Sequence, residues 1–199
     1  MVKEGFPFVI TPIVLALVFG ALQWWPAAVF FVLIAGFMAY FFRDPHRIVP
    51  GGENIVVSAA DGKVTRIDEN EAGKLVSVFL SPLDVHINRS PIAGKVTNVK
   101  YIRGKKAPAT SNQASFSNER NSITIEGENM TVVCTQIAGI VARRIVCWSK
   151  EGDELQLGEK FGLIKFSSRT DLLMPPGVEI LVGIGDRVVG GETVIARLA

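Results

Sequence analysis

Between residues 5 and 42 the chain carries no Asp, Glu, Lys or Arg. So long a run without charge cannot form an ordinary solvated surface; it belongs in lipid or in a large apolar core. The run is broken once, at "QWWP" (residues 23–26), into two apolar arms, 6–22 and 26–42. As helices at about 1.5 Å per residue, the arms reach about 25 Å each, a little short of a ~30 Å hydrocarbon core. Trp24 and Trp25 suit an interfacial turn, because indole is apolar with one polar N–H. A cleaved signal peptide has a basic start and one short apolar core, so both the length and the break argue against one. The expectation is a membrane-anchoring hydrophobic hairpin over residues 1–49, as two short spans or one deep re-entrant anchor. A hairpin returns the chain to its starting side, where Arg43 and Arg47 join Lys3. By the positive-inside tendency that side is the cytoplasm, with the rest of the protein held at the cell membrane.

The remaining composition excludes more than it assigns. A net charge of +2 with no strongly basic stripe gives no reason to expect nucleic acid as a partner. Cys134 and Cys147 are too few for a disulfide framework and lack metal-ligand spacing, so they read as reduced core residues and no metal is expected. His46 and His86 are the only histidines, which narrows the acid/base options.

From Pro50 onward the pattern changes to short β runs with turn punctuation. "ENIVVSAADGKVTRIDE" reads as strand, Asp-Gly turn, strand. "KLVSVFLS", "GKVTNVKYI", "NSITIEGENMTVVCTQIA" and "VARRIVCW" continue in the same manner, and residues 105–120 read as an irregular loop. "GKVT" occurs at residues 62–65 and again at 94–97, a hint of two similar hairpin units. The tail "GVEILVGIGDRVVGGETVIARL" alternates strands with Gly-Asp and Gly-Gly turns, a spacing that resembles the barrel-sandwich hybrid of biotinyl and lipoyl domains. The expected fold is therefore mainly β, a barrel-sandwich-hybrid-like domain over residues 50–199 behind an N-terminal helical hairpin.

Three places can carry chemistry. Asp61 lies in "SAADGKV", where Asp-Gly by itself is the commonest hairpin turn signal. His86 lies in "SPLDVHINRSP"; on an extended strand Asp84, His86 and Asn88 share one face, which suits proton transfer better than an apolar row does. Ser167 and Ser168 lie in "GLIKFSSRTDLLMPPG", between a β run and a proline turn. Two serines there usually mean only a loop, yet a serine hydroxyl is also able to attack the carbonyl of its own preceding peptide bond.

Taken together, these stretches resemble the short form of phosphatidylserine decarboxylase. The resemblance spans the chain: "FFRDP", "SAADGKV", "SPLDVHINRSPIAG", "SNERNSI", "QIAGIVARRIV" and "GDELQLGEKFGLIKFSSRTDLLMPPG", in that order. It implies self-cleavage before a serine, a pyruvoyl prosthetic group, and a β-rich catalytic domain on a membrane. Ser168 matches the serine that becomes the pyruvoyl group, His86 the histidine of the D-x-H motif, and Asp61 the acidic residue of the A-D-G motif. Cleavage between Ser167 and Ser168 would leave chains of residues 1–167 and 168–199, held together as large and small chains. Two departures stand out. The family usually has glycine where this chain has Ser167, and glycine is the residue that best permits a strained backbone at such a bond. Longer members carry a second histidine where this chain has Arg89.

The implied substrate is phosphatidylserine or archaetidylserine, whose headgroup amine would form a Schiff base with the pyruvoyl ketone before CO2 is lost. His86 is then the natural proton donor to carbon. The lipid phosphate needs a cation, for which Arg89, Arg120, Arg143 and Arg144 are candidates. A homo-oligomer is compatible with this reading. The rival from another class is a non-catalytic membrane-anchored adaptor with a lipoyl-like β domain, although the long helical hairpin such adaptors carry inside that domain is not visible here.

Overall fold

The computed structural model describes residues 1–71, 73–104, 117–140, 144–166 and 168–198. Contacts divide the chain into two compact units, Met1–His46 and Arg47–Ala199. Of the residues singled out above, Ser167, Arg143 and most of the expected loop at 105–120 lie outside the described residues.

In the first unit two helices form an antiparallel pair, α1 (Phe6–Ala21) and α2 (Trp25–Phe41). The turn falls where "QWWP" interrupts the apolar run. Gln23 adopts φ +60, and Trp24 donates its N–H to Phe19 O at 2.8 Å. Phe19 stacks on Trp24 and on Phe31, closing the tip of the hairpin. Ala16, Ala28 and Ala35 are buried along the pair, as are Pro12 and, at the end of α2, Phe41, while Leu17, Trp25, Val29, Phe30 and Leu33 are exposed. Most large side chains of this all-round apolar pair face outward and small ones line much of the contact, a pattern that suits helices in lipid. The segment Lys3–Ala21 is long and apolar enough to cross a membrane; the helix Trp25–Phe41 is shorter.

The second unit is built of strands: β1 (Ile55–Val57), β2 (Gly62–Asn70), β3 (Gly73–Leu80), β4 (Ile87–Arg89), β5 (Gly94–Ile102), β6 (Arg120–Glu126), β7 (Thr131–Ala138), β8 (Arg144–Cys147), β9 (Glu154–Leu155), β10 (Lys160–Lys165), β11 (Ser168–Met174), β12 (Val178–Ile180), β13 (Arg187–Val188) and β14 (Val194–Leu198). The mainly β expectation holds. One sheet runs β13-β2-β3-β11-β7-β6-β5-β9, and two three-stranded sheets run β1-β14-β12 and β4-β10-β8. Their shared core gathers Val56, Val64, Val78, Ile123, Val132, Leu172 and Ile195, each at 1% exposure or less. Burying one such side chain contributes about 1.5–3 kcal/mol.

The Asp-Gly pair at 61–62 is not a hairpin turn. β1 pairs with β14, and β2 pairs with β3 and β13, so the chain crosses from one sheet to another there. Gly62 is required by close approach rather than by a turn: a Cβ on it would lie 2.1 Å from Phe79 O.

The strand orders have an internal symmetry. β13-β2-β3-β11 is matched by β9-β5-β6-β7 read from the other edge, and β1-β14-β12 is matched by β4-β10-β8. "GKVT" opens both β2 and β5, and both strands shift register just after it, between Val64/Arg66 and between Val96/Asn98. Gly94 repeats the close approach, its Cβ position 2.4 Å from Glu126 O. The return turns agree bond for bond. Gly185 N donates to Val64 O at 2.8 Å and Gly152 N to Val96 O at 2.8 Å; Gly191 N donates to Ser58 O at 2.8 Å and Gly158 N to Ser90 O at 2.9 Å. Ser58 Oγ bonds Ala60 O at 2.7 Å, and Ser90 Oγ bonds Ile92 O at 2.6 Å. The domain is a duplicated unit in which β1–β3 with β11–β14 form one half and β4–β10, inserted between them, form the other. Leu172 and Cys134, paired where β11 meets β7, mark the pseudo-twofold axis. Ser168 is the first residue of the strand with which the chain re-enters its first half.

Candidate active site

Ser168 opens β11, a central strand, opposite Leu80 of β3 and Ala138 of β7. It is fully buried, and its Oγ has no hydrogen-bond partner among the described residues. A buried unpaired hydroxyl costs about 1–3 kcal/mol, so its retention asks for a reason. Two residues earlier Phe166 has φ +66, a conformation rare for a bulky side chain and costing on the order of 1–3 kcal/mol. Along β11, Ser168, Thr170, Leu172 and Met174 alternate with Arg169, Asp171 and Leu173. The first set faces the core, and Arg169 pairs with Asp171 through both carboxylate oxygens, at 2.9 and 3.1 Å.

His86 does not stand on a long polar strand face, as its spacing suggested. The strand β4 covers only Ile87–Arg89, and residues 84–89 are buried on both sides. Asp84 instead closes a turn started by Ser81-Pro82: its N–H donates to Ser81 O at 2.9 Å, and its Oδ2 accepts Ser81 N–H at 2.8 Å. Asp84 Oδ1 is ion-paired with Arg187. His86 Nδ1 lies 3.0 Å from Asp84 O. A carbonyl oxygen only accepts, so Nδ1 carries the hydrogen and the neutral ring keeps its lone pair on Nε2. The backbone O of His86 accepts from Ile164 N at 3.1 Å, which ties it to β10, the strand leading to Ser168.

Asp61 is half-buried. Its Oδ1 accepts Gly190 N–H at 2.8 Å, and its Oδ2 pairs with Arg47 at 2.6 Å. Burial pushes its carboxyl above the ordinary value, with the charge of Asp84 adding to the rise, while Gly190 and Arg47 oppose it. Burial also holds the Cys134 thiol well above its usual range, so that side chain is a packing residue rather than a nucleophile.

The segments bearing Asp61, His86 and Ser168 meet through a chain of buried polar groups. Ala59 O accepts Arg89 N–H at 2.9 Å and Asn88 Nδ2 at 3.3 Å. Asn88 Nδ2 also donates to Thr170 Oγ1 at 2.9 Å, and its Oδ1 accepts Gln136 Nε2 at 2.9 Å. Gln136 Oε1 in turn accepts Asn121 Nδ2 at 3.1 Å. The motifs in the sequence do not single out Thr170, Gln136 or Asn121. The signal that could have found them is a polar residue in the inward phase of an alternating strand, Gln136 after Val132 and Cys134, and Asn121 before Ile123 and Ile125.

The arginine candidates scatter. Arg89 is buried and donates to Gly158 O at 3.0 Å. Arg120 lines a cleft of about 290 Å³ with Arg66, Ser122 and Asp171, on the face of β11 opposite Ser168. Arg144 is exposed and sits across from Lys165, at the end of β10 nearest Ser168.

A buried hydroxyl, a buried histidine and a desolvated carboxylate on three segments that one polar chain ties together are the makings of a candidate active site. Comparison with known proteins says which kind. A model of the phosphatidylserine decarboxylase family matches residues 34–196. A phosphatidylserine decarboxylase proenzyme of Geotalea uraniireducens is 42% identical over 98% of this chain and 95% of its own length. Proteins of the same description from Geobacter sulfurreducens and Beijerinckia indica are 39% and 44% identical, over 98% and 97% of this chain and 95% and 87% of their own lengths. The chain belongs to the phosphatidylserine decarboxylase family, and it is a decarboxylase rather than a non-catalytic adaptor.

Proposed function

We propose that this protein is a self-processing, pyruvoyl-dependent decarboxylase that converts phosphatidylserine, or the archaeal-type equivalent archaetidylserine, to the ethanolamine lipid and CO2. The observation that carries the reading is the buried Ser168 hydroxyl without a hydrogen-bond partner among the described residues. A side chain that will be consumed in making a prosthetic group has no use for a permanent partner. Ser168 Oγ attacks the carbonyl carbon of residue 167, the amide C–N bond breaks, and an ester forms while the Ser168 amine is released. A base then takes the Ser168 Cα proton, the Cβ–Oγ bond breaks, and residue 167 leaves as a carboxylate. Water replaces the nitrogen as ammonia, and a ketone remains at the new N-terminus. The strained Phe166 backbone favours the first step by raising the energy of the uncleaved chain.

The pyruvoyl ketone supplies an electron sink for the substrate amine when CO2 departs. The rest falls to side chains. His86, with Nδ1–H held by Asp84 O, takes up a solvent proton on Nε2 and, as the imidazolium, donates that proton to carbon. Asp61, its pKa raised by burial, is the candidate base for processing. Arg144, exposed near the Ser168 end of β10, is the best placed for the lipid phosphate of the three candidate arginines among the described residues.

Intact mass measurement of the purified protein tests the reading. The expected result is two chains, 1–167 and 168–199, the smaller blocked to Edman degradation and reducible by borohydride at its first residue. A single chain with no carbonyl, from folded protein, would overturn it.

The hairpin of α1 and α2 anchors the enzyme where the acyl chains of its substrate lie. Lys3 and Arg43 flank it, and by the positive-inside tendency they support a β domain on the cytoplasmic side of the cell membrane. Deleting residues 1–42 is expected to move the protein from the membrane pellet to the soluble fraction; retention in the pellet would remove the anchor from the proposal.

A further inference from the structure

The duplication supplies an internal control for the active site. Matching Gly62 to Gly94 carries Asp61 onto Ala93 and His86 onto Asn54. Leu172 pairs with Val76, and its twin Cys134 pairs with Ile123, so Ser168 falls on Met130. Gly190, which donates to Asp61, falls on Leu157. Asn54, Ala93, Met130 and Leu157 line one cleft of about 380 Å³. The symmetry therefore carries the positions of the catalytic candidates onto one cleft whose lining lacks their chemistry.

The same operation applied to the buried polar chain gives a sharper result. Asn88 falls on Val56, Thr170 on Val132, and Gln136 on Met174. All three counterparts are core residues at 2% exposure or less, as are the polar three. One backbone arrangement is thus filled twice, once with apolar side chains and once with amides and a hydroxyl. The apolar version stands, so the fold does not require the polar one.

We propose that Asn88, Thr170 and Gln136 are positioning residues for the Ser168 reaction, retained for geometry rather than for stability. Asn88 uses both Nδ2 hydrogens, on Thr170 Oγ1 and on Ala59 O, while Gln136 holds its Oδ1. Each anchor lies two residues from a reactive side chain: Asn88 from His86, Thr170 from Ser168, Ala59 from Asp61. One carboxamide therefore clamps the three segments whose side chains must meet, and a displacement of about 1 Å at such a site costs up to ~10²-fold in rate. This inference rests on the pyruvoyl reading for its rate measurement.

The test copies the apolar half into the polar one, with Asn88→Val, Gln136→Met and Thr170→Val combined. Replacing both partners of a buried hydrogen bond by apolar groups of similar size is close to neutral; Asn121 loses Gln136 Oε1 but keeps Cys147 as a neighbour, so the thermal midpoint is expected to stay close to that of the parent. Self-cleavage is expected to slow at least ~10-fold. Thr170→Ser, which keeps the hydroxyl, is expected to process faster than Thr170→Val. A second readout does not depend on cleavage. The imidazole 15N shifts of His86, one of only two histidines, report which nitrogen carries the hydrogen, and the triple variant is expected to lose the preference for Nδ1–H. Unchanged cleavage with an unchanged His86 spectrum would overturn the clamp, and so would a fall in thermal midpoint matching the loss of cleavage. If the parent itself never cleaves, the pyruvoyl reading fails and the His86 spectrum alone decides the clamp.

Discussion

Replacing Ser168 by alanine is expected to leave one full-length chain on a denaturing gel, with no borohydride-reducible group and no CO2 release from substrate vesicles. Alanine removes the only atom of that side chain able to attack the preceding carbonyl. It does so where the hydroxyl is buried without a partner among the described residues, so the fold loses nothing and stability is expected to rise by about 1 kcal/mol. A folded, inactive, uncleaved protein is the signature, and two chains from the alanine variant would sink the assignment. The parent should differ in a further way. Its small chain would contribute β11, which lies between β3 and β7, and β14, which lies between β1 and β12. Both are interior strands, so the two chains are expected to migrate together on a native gel and to part only in denaturant.

His86→Ala is expected to cut decarboxylation by ~10²-fold or more, the usual loss on removing a general acid. The ring is 2% exposed, so the change also opens a cavity. The measurement should therefore be made on protein already shown to be folded and processed, with His86→Gln as a variant of closer volume. Loss of turnover with substrate binding retained places the histidine in proton transfer. Near-normal turnover in either variant would remove it from the mechanism.

Much of this is legible in the residues. The charge-free run and its "QWWP" break mark the helical pair, because backbone groups away from water are satisfied within a helix and an interruption needs turn residues. Short alternating runs mark the strands, because side chains on a strand face two ways. The order of the motifs around Asp61, His86 and Ser168 marks the family. Other features mislead for definite reasons. Asp61-Gly62 reads locally as a hairpin, and only the pairing of β1 with distant β14 shows a crossing between sheets. Asp84, His86 and Asn88 alternate like one strand face, yet Pro82 and the Ser81–Asp84 bonds make the first part a turn.

The sequence by itself determined the local periods: an apolar hairpin, a mainly β domain, and the stations where hydroxyl, imidazole and carboxylate stand. The tertiary structure alone decided which strands pair, that the domain is one unit used twice, and that Ser168 opens the strand returning to the first half. "GKVT" hinted at the repeat, but the two halves share little beyond turn glycines and a few capping polar residues. Those are the residues a backbone dictates, whereas the positions between them only have to fill space. Whether such a position is polar or apolar is settled by its neighbours across the sheet. Asn88 and Thr170 in one half and Val56 and Val132 in the other occupy matching places in one fold, and only the folded chain shows that match.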